Sequence, residues 1–264
     1  IAIGNSNSSS DRQAIAYGQS SIAIGSSASS NGTNSIALGN YALTEAQNSA
    51  SGTVNSAVAI GDRAQATSDQ AVALGKNAHA SGVNAFAQGN QSSATEESSI
   101  AVGTNANSYG TASTVIGMNS TVNGTHSGVI GTVMSTDSTL AGTTLNGSDT
   151  YVVGNGNGTV QGVNSSIMGN SNTIGTTIKD SGGKEYSYSA VNTRVLGNSN
   201  TVTAQDSDVI GSYNSLLGSG KTTDGSYDYV QATGIFGNVN TSTGTGKRII
   251  GNNNEDEGLS DVFI

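Results

Sequence analysis

The chain has 264 residues, a net charge of −9, 37 glycines, 10% charged residues and no Pro, Cys or Trp. Abundant glycine without a proline period excludes a collagen helix, and the absence of cysteine excludes disulfide staples and thiolate metal sites. The acidic balance provides no basic patch for a phosphate backbone, which argues against nucleic acid as a partner; no apolar run approaches membrane-span length and no signal peptide is visible.

Taken in order, the chain repeats itself. Gly4 and Gly18 stand 14 residues apart, as do Gly25 and Gly39, which close Ile22-Ala23-Ile24 and Ile36-Ala37-Leu38. Then come Ala57-Val58-Ala59-Ile60-Gly61, Ala71-Val72-Ala73-Leu74-Gly75 and Ala85-Phe86-Ala87-Gln88-Gly89, followed by segments ending at Gly103, Gly117 and Gly131, each glycine 14 after the last. Looser copies close at Gly154, Gly169, Gly197, Gly211, Gly237 and Gly251. A period this regular predicts a parallel β-solenoid, a β-roll with two short strands and two turns in each coil. The regular Ala-rich coils span 1–131; variant coils with insertions span 132–264 and continue the first part. The pattern is already running at both ends, so the chain reads as a fragment of a longer protein.

The residue before each glycine is apolar, Gln88 excepted. Parallel stacking sets these residues about 4.8 Å apart, where burial stabilises each by roughly 1.5–3 kcal/mol. The residue one earlier is apolar too: Ala23, Ala37, Ala59, Ala73, Ala87 and Ala101, then Val115, Val129, Ile167, Val195, Val209, Ile235 and Ile249. Alternation puts the two columns on opposite faces, so both faces are dry. The second strand of the coil covers one. A second copy of the chain is expected to cover the other, with the Ala/Val/Ile column as the contact. The second strand pairs small residues (Ala64 and Ala66, Ala78 and Ala80) with outward polar ones (Gln65, His79), and the Asn or Asp that often follows the glycine suits a corner with positive φ.

Beyond Gly103 the third residue after the glycine becomes Asn (Asn157, Asn172, Asn200, Asn214, Asn240, Asn254), which predicts a ladder of stacked amides. The third residue before the glycine turns polar, including Arg194, Asp208 and Arg248; Arg194 and Asp208, one coil apart, are expected to form an ion pair. Steps of 22, 23, 28 and 26 residues mark insertions. Two of these, Lys179–Tyr188 and Lys221–Tyr229, have a Gly-bearing turn between alternating residues and read as hairpins; Leu145–Ser148 is a weaker third case. The Gly18 to Gly25 step of 7 has no counterpart in this scheme.

These motifs resemble the head repeats of trimeric autotransporter adhesins, the YadA-like heads of Gram-negative bacteria. The resemblance covers most of 1–131 closely and the rest loosely. It implies a left-handed β-roll, three chains around one axis, display at the bacterial outer membrane, and a stalk and membrane anchor outside this fragment. It also implies attachment to a host extracellular-matrix protein, a host cell-surface receptor or a partner bacterium, without enzymatic activity or cofactors. Tyr186, Tyr188, Tyr227 and Tyr229 on the insertions are the candidate ligand contacts. His79 and His126 have no neighbours at ligand spacing and read as surface residues, and Glu255-Asp256-Glu257 reads as a solvated turn. The alternatives are a carbohydrate-active solenoid enzyme, which would show carboxylate or His clusters or a six-residue period, a purely structural spacer of a surface fibre, and an ice-binding solenoid, which would show an in-phase Thr ladder.

Overall fold

A computed structural model describes residues 1–4, 13–45, 54–132, 143–179, 185–188, 190–217, 233–243, 246–256 and 262–263. Among them there is no helix, and the strands are two to four residues long. They form two compact units, residues 1–122 and 123–264. Within each unit, successive strands alternate between two stacked parallel sheets, the architecture of a β-solenoid.

One period is one coil. In the first sheet of the first unit Val58 pairs with Val72, Val72 with Phe86 and Phe86 with Ile100. In the second sheet Gln65 pairs with His79, His79 with Ser93 and Ser93 with Asn107. The glycine between the two strands is obligatory on two counts. At Gly75 φ is +133°, and a Cβ would stand 2.5 Å from the carbonyl oxygen of Gly89 in the next coil.

The Asn after the glycine has a different task from the one expected. Positive φ falls one residue later, at Tyr41 (54°), Arg63 (55°), Asn77 (54°) and their equivalents. The Asn itself links coils: the N–H groups of Asn155, Asn170 and Asn238 donate to Oδ1 of Asn170, Asn198 and Asn252, each at 2.8 Å.

A second glycine corner explains the step of 7 residues. Gly18 stacks on Gly32, its Cβ position only 2.0 Å from the Gly32 oxygen. Gly4 stacks instead on Gly25, because Ala2 pairs with Ala23 and Ile3 with Ile24. Gly18 and Gly25 are therefore opposite corners of one coil, and the equal spacing of Gly4 and Gly18 does not mark a shared register.

The core is narrow. In the coil that starts at Ala57, the residues pointing between the sheets are Ala57, Ala59, Ala64 and Ala66, all fully buried. In the second unit the core thickens: Val195, Val209 and Ile235 oppose Ile174, Val202 and Leu216, again buried. The expected Asn ladder is present where it thickens. Asn200 Nδ2 donates to Asn172 Oδ1 at 3.0 Å and to the Gly211 carbonyl at 2.8 Å, while its own Oδ1 accepts the N–H and Nδ2 of Asn214, both at 3.0 Å. In the first unit this position is Ala except at Ser92 and Ser120, and the Ala N–H closes the corner on the glycine of its own coil, as from Ala64 to Gly61 at 3.3 Å. The amide thus exchanges a bond within a coil for bonds between coils, and each buried Asn is satisfied.

Hydroxyls at the opposite corner act alike. Thr150 Oγ1 donates to the Gly162 carbonyl at 2.9 Å and accepts the Ser165 N–H at 3.2 Å.

The 28-residue step from Gly169 to Gly197 is one coil with an insertion, since Ser166 pairs with Arg194 and Thr173 with Thr201. The insertion contains the expected hairpin: Thr176–Lys179 runs antiparallel to Glu185–Tyr188, with Thr176 opposite Tyr188 and Ile178 opposite Tyr186. The third proposed hairpin is an ordinary corner, because Thr144–Leu145 is a solenoid strand paired in parallel with Thr159–Val160.

Candidate assembly and adhesive surfaces

The structure corrects the assignment of the contact column. Ala23, Ala37, Ala59, Ala73, Ala87, Ala101, Val115, Val129, Ile167, Val195, Val209, Ile235 and Ile249 are all 0–2% exposed within a single chain, in the core between the two sheets. They cannot reach another protomer. The residues on either side of them in each strand occupy the outer face of the first sheet. There Ile60, Ile116, Ile130, Met168, Leu196, Ile210, Phe236 and Ile250 are exposed. The columns were exchanged because a period of two residues cannot say which face points inward. In the first unit size decides it: the narrow space between the sheets takes Ala, and the larger residues are placed outside.

In the first unit this outer face carries two apolar columns, one through Ile36, Val58, Val72 and Phe86 and one through Leu38, Ile60 and Leu74. Folding alone leaves them uncovered, and an exposed apolar face this regular marks a contact surface. In the second unit the first column becomes polar, and its charges are on the outside. Arg194 faces Asp208 in bidentate geometry, Nε to Oδ1 at 2.6 Å and Nη2 to Oδ2 at 2.7 Å. The expected pair is therefore present, and the hydrogen bonds from Arg194 hold the Asp208 carboxyl below its ordinary pKa. The pair borders a hollow of about 290 Å³ with Met168, Leu196, Ile210 and Phe236. The Phe236 ring lies over Gly234, 3.2 Å from where a Cβ would stand.

The hairpin strand Glu185–Tyr188 places Tyr186 and Tyr188 outside the two solenoid sheets. Tyr227 and Tyr229, with the second proposed hairpin, lie outside the described residues. His79 stands between Gln65 and Ser93 in the outward column. It is half-buried, its Nε2 has no hydrogen-bond partner, and burial pushes the imidazole pKa down. His126 Nδ1 is 3.6 Å from Asp149 Oδ1. No group of three or more His, Cys, Asp or Glu suited to a metal occurs among the described residues. Glu255-Asp256-Glu257 is not simply a solvated turn: Asp256 lies at an interior position, buried, and accepts from Ser242 Oγ at 2.9 Å. Sequence reading also passed over Tyr41 and Arg63, whose signal was bulk at a left-handed corner held elsewhere in the first unit by Ser, Asn or Gln.

The fold and its outward apolar face define a repeat solenoid with a surface left for assembly. Residues 16–42, 55–78 and 80–106 match the YadA head domain repeat. These residues, all in the first unit, carry YadA-like head repeats, the repeat type of trimeric autotransporter adhesin heads. No curated protein matches the chain.

Proposed function

We propose that this chain is the adhesive head of a homotrimeric surface protein that attaches a bacterium to a host matrix protein, a host receptor or another bacterium. The observation that supports this most directly is the exposed apolar face of the first sheet in a chain with YadA head repeats. Three copies would cover these faces around a common axis, leaving the second sheet and the insertions outward. The Tyr-bearing insertions then supply the ligand contacts, and three copies add avidity to weak single contacts. Light scattering tests the assembly: a mass near three times 26.2 kDa is expected, and a stable monomer overturns it. The contact is tested by deleting Ser181–Ser189 and Thr222–Asp228 and screening attachment to matrix proteins, epithelial receptors and partner bacteria. Loss of attachment by a correctly assembled deletion variant supports the reading; undiminished attachment moves the contact to the outer strands.

A further inference from the structure

The outer face of the second sheet in the first unit is not uniformly shallow. It contains a groove of about 440 Å³, in the volume range of small-molecule sites. Residue size produces it. The outward column runs Ile15, Ser29, Leu43, Gln65 in successive coils, and the left-handed corner runs Ser27, Tyr41, Arg63. One coil, Ser27-Ala28-Ser29, is small at both columns, while the coils beside it carry long side chains. The small coil is the floor, Ile15 and Leu43 are the aliphatic walls, and Tyr41 and Arg63 close one end.

The choice of Tyr41 and Arg63 is costly for the fold. Equivalent corners hold Asn77, Gln91, Asn105 and Asn119 at the same positive φ, and Asn tolerates that conformation better than a bulky side chain does. Here two bulky residues follow one another, as Tyr213 and Val239 do in the second unit, and the Arg63 guanidinium is 5.6 Å from the Tyr41 ring centroid.

The chemistry of the lining narrows the ligand. Glu45 offers acceptors, the Gln13 and Gln65 amides offer both donors and acceptors, and Arg63 offers donors. Arg63 is also 3.6 Å from Asp62, so the rim has no excess positive charge for a strongly anionic ligand. An aromatic surface and aliphatic walls, ringed by planar polar groups, suit a ligand with an apolar ring face and hydroxyls at its edge. We propose that this groove binds a neutral pyranose unit of a glycan, its C–H face on Tyr41 and its hydroxyls on Glu45, Gln13, Gln65 and Arg63. The site needs no second protomer and stands apart from the assembly reading.

The test uses the full chain on immobilised oligosaccharides ending in galactose, N-acetylglucosamine or mannose, with sialylated forms alongside. Tyr41→Ser and Arg63→Asn install residues that the same corner already accepts at Ser27 and Asn77, so the solenoid is retained; circular dichroism and light scattering check fold and assembly. Tyr213→Ser changes an equivalent corner in the second unit and is the control. Binding to a neutral glycan is expected, reduced at least tenfold by Tyr41→Ser, severalfold by Arg63→Asn and not by Tyr213→Ser. Absence of binding by the unmodified chain, binding to sialylated glycans alone, or binding indifferent to Tyr41→Ser overturns the proposal, whatever mass light scattering returns.

Discussion

At the scale of single residues, the amide ladder bears most directly on stability. Asn200 connects three coils, and loss of its side chain leaves the Gly211 carbonyl and the Asn214 N–H without their partner and removes one bond each from Asn172 Oδ1 and Asn214 Nδ2. A buried polar group stranded this way costs about 1–3 kcal/mol, so Asn200→Ala should destabilise the chain by at least about 2 kcal/mol in denaturant unfolding. His79 gives a pH dependence of definite sign. Its folded pKa lies below the ordinary 6.5 because burial disfavours the cation. As pH falls through that ordinary value the unfolded chain takes up the proton first, and stability declines until the folded pKa is passed. His79→Gln, the residue of the neighbouring coil at Gln65, should flatten thermal stability across that window; an unchanged slope would show that other groups set it.

At the scale of the coil, packing between the sheets is the controlling term. The narrow interior around Ala73 has no slack, and Ala73→Phe should cost at least about 1–3 kcal/mol by overpacking. The reason is intrachain crowding, so the cost should appear in unfolding of a dilute sample and not only in assembly. Phe in place of the half-exposed Gln65 should change little. Gly75→Ala should be worse than its size suggests, since both the backbone conformation and the next coil's carbonyl oppose a Cβ. Comparable melting temperatures for Gly75→Ala and the unmodified chain would contradict this account of the corner.

At the scale of the whole molecule, the outer face of the first sheet decides what the chain does with other copies. A charge placed in an apolar contact must be desolvated without a partner. Ile60→Arg should therefore leave the coil fold intact by circular dichroism and lower the assembled mass in light scattering. Ala59→Ser, one residue away, should act on folding alone because Ala59 is fully buried in its own chain. Loss of assembly from both changes, or from neither, would show that another surface holds the copies together.

The coil length, the parallel stacking, the obligatory glycine, the amide ladder and the Arg194–Asp208 pair were legible in the sequence, because each follows from a fixed repeat that brings equivalent residues together one coil apart. The period also placed the first hairpin, since residues in excess of a coil must leave the solenoid. Only the tertiary structure decided which side of each strand is the interior. Alternation specifies two faces but not their direction, and Ala23 and Ile24 are both apolar; the separation of two sheets joined by tight corners admits the smaller one. Only the structure, likewise, separated the two glycine corners, because Gly4 and Gly18 share a spacing but not a register. The groove beside Tyr41 was hidden for a related reason. A cavity arises from the difference in size between neighbouring coils, and that difference acquires a shape only when the coils are stacked.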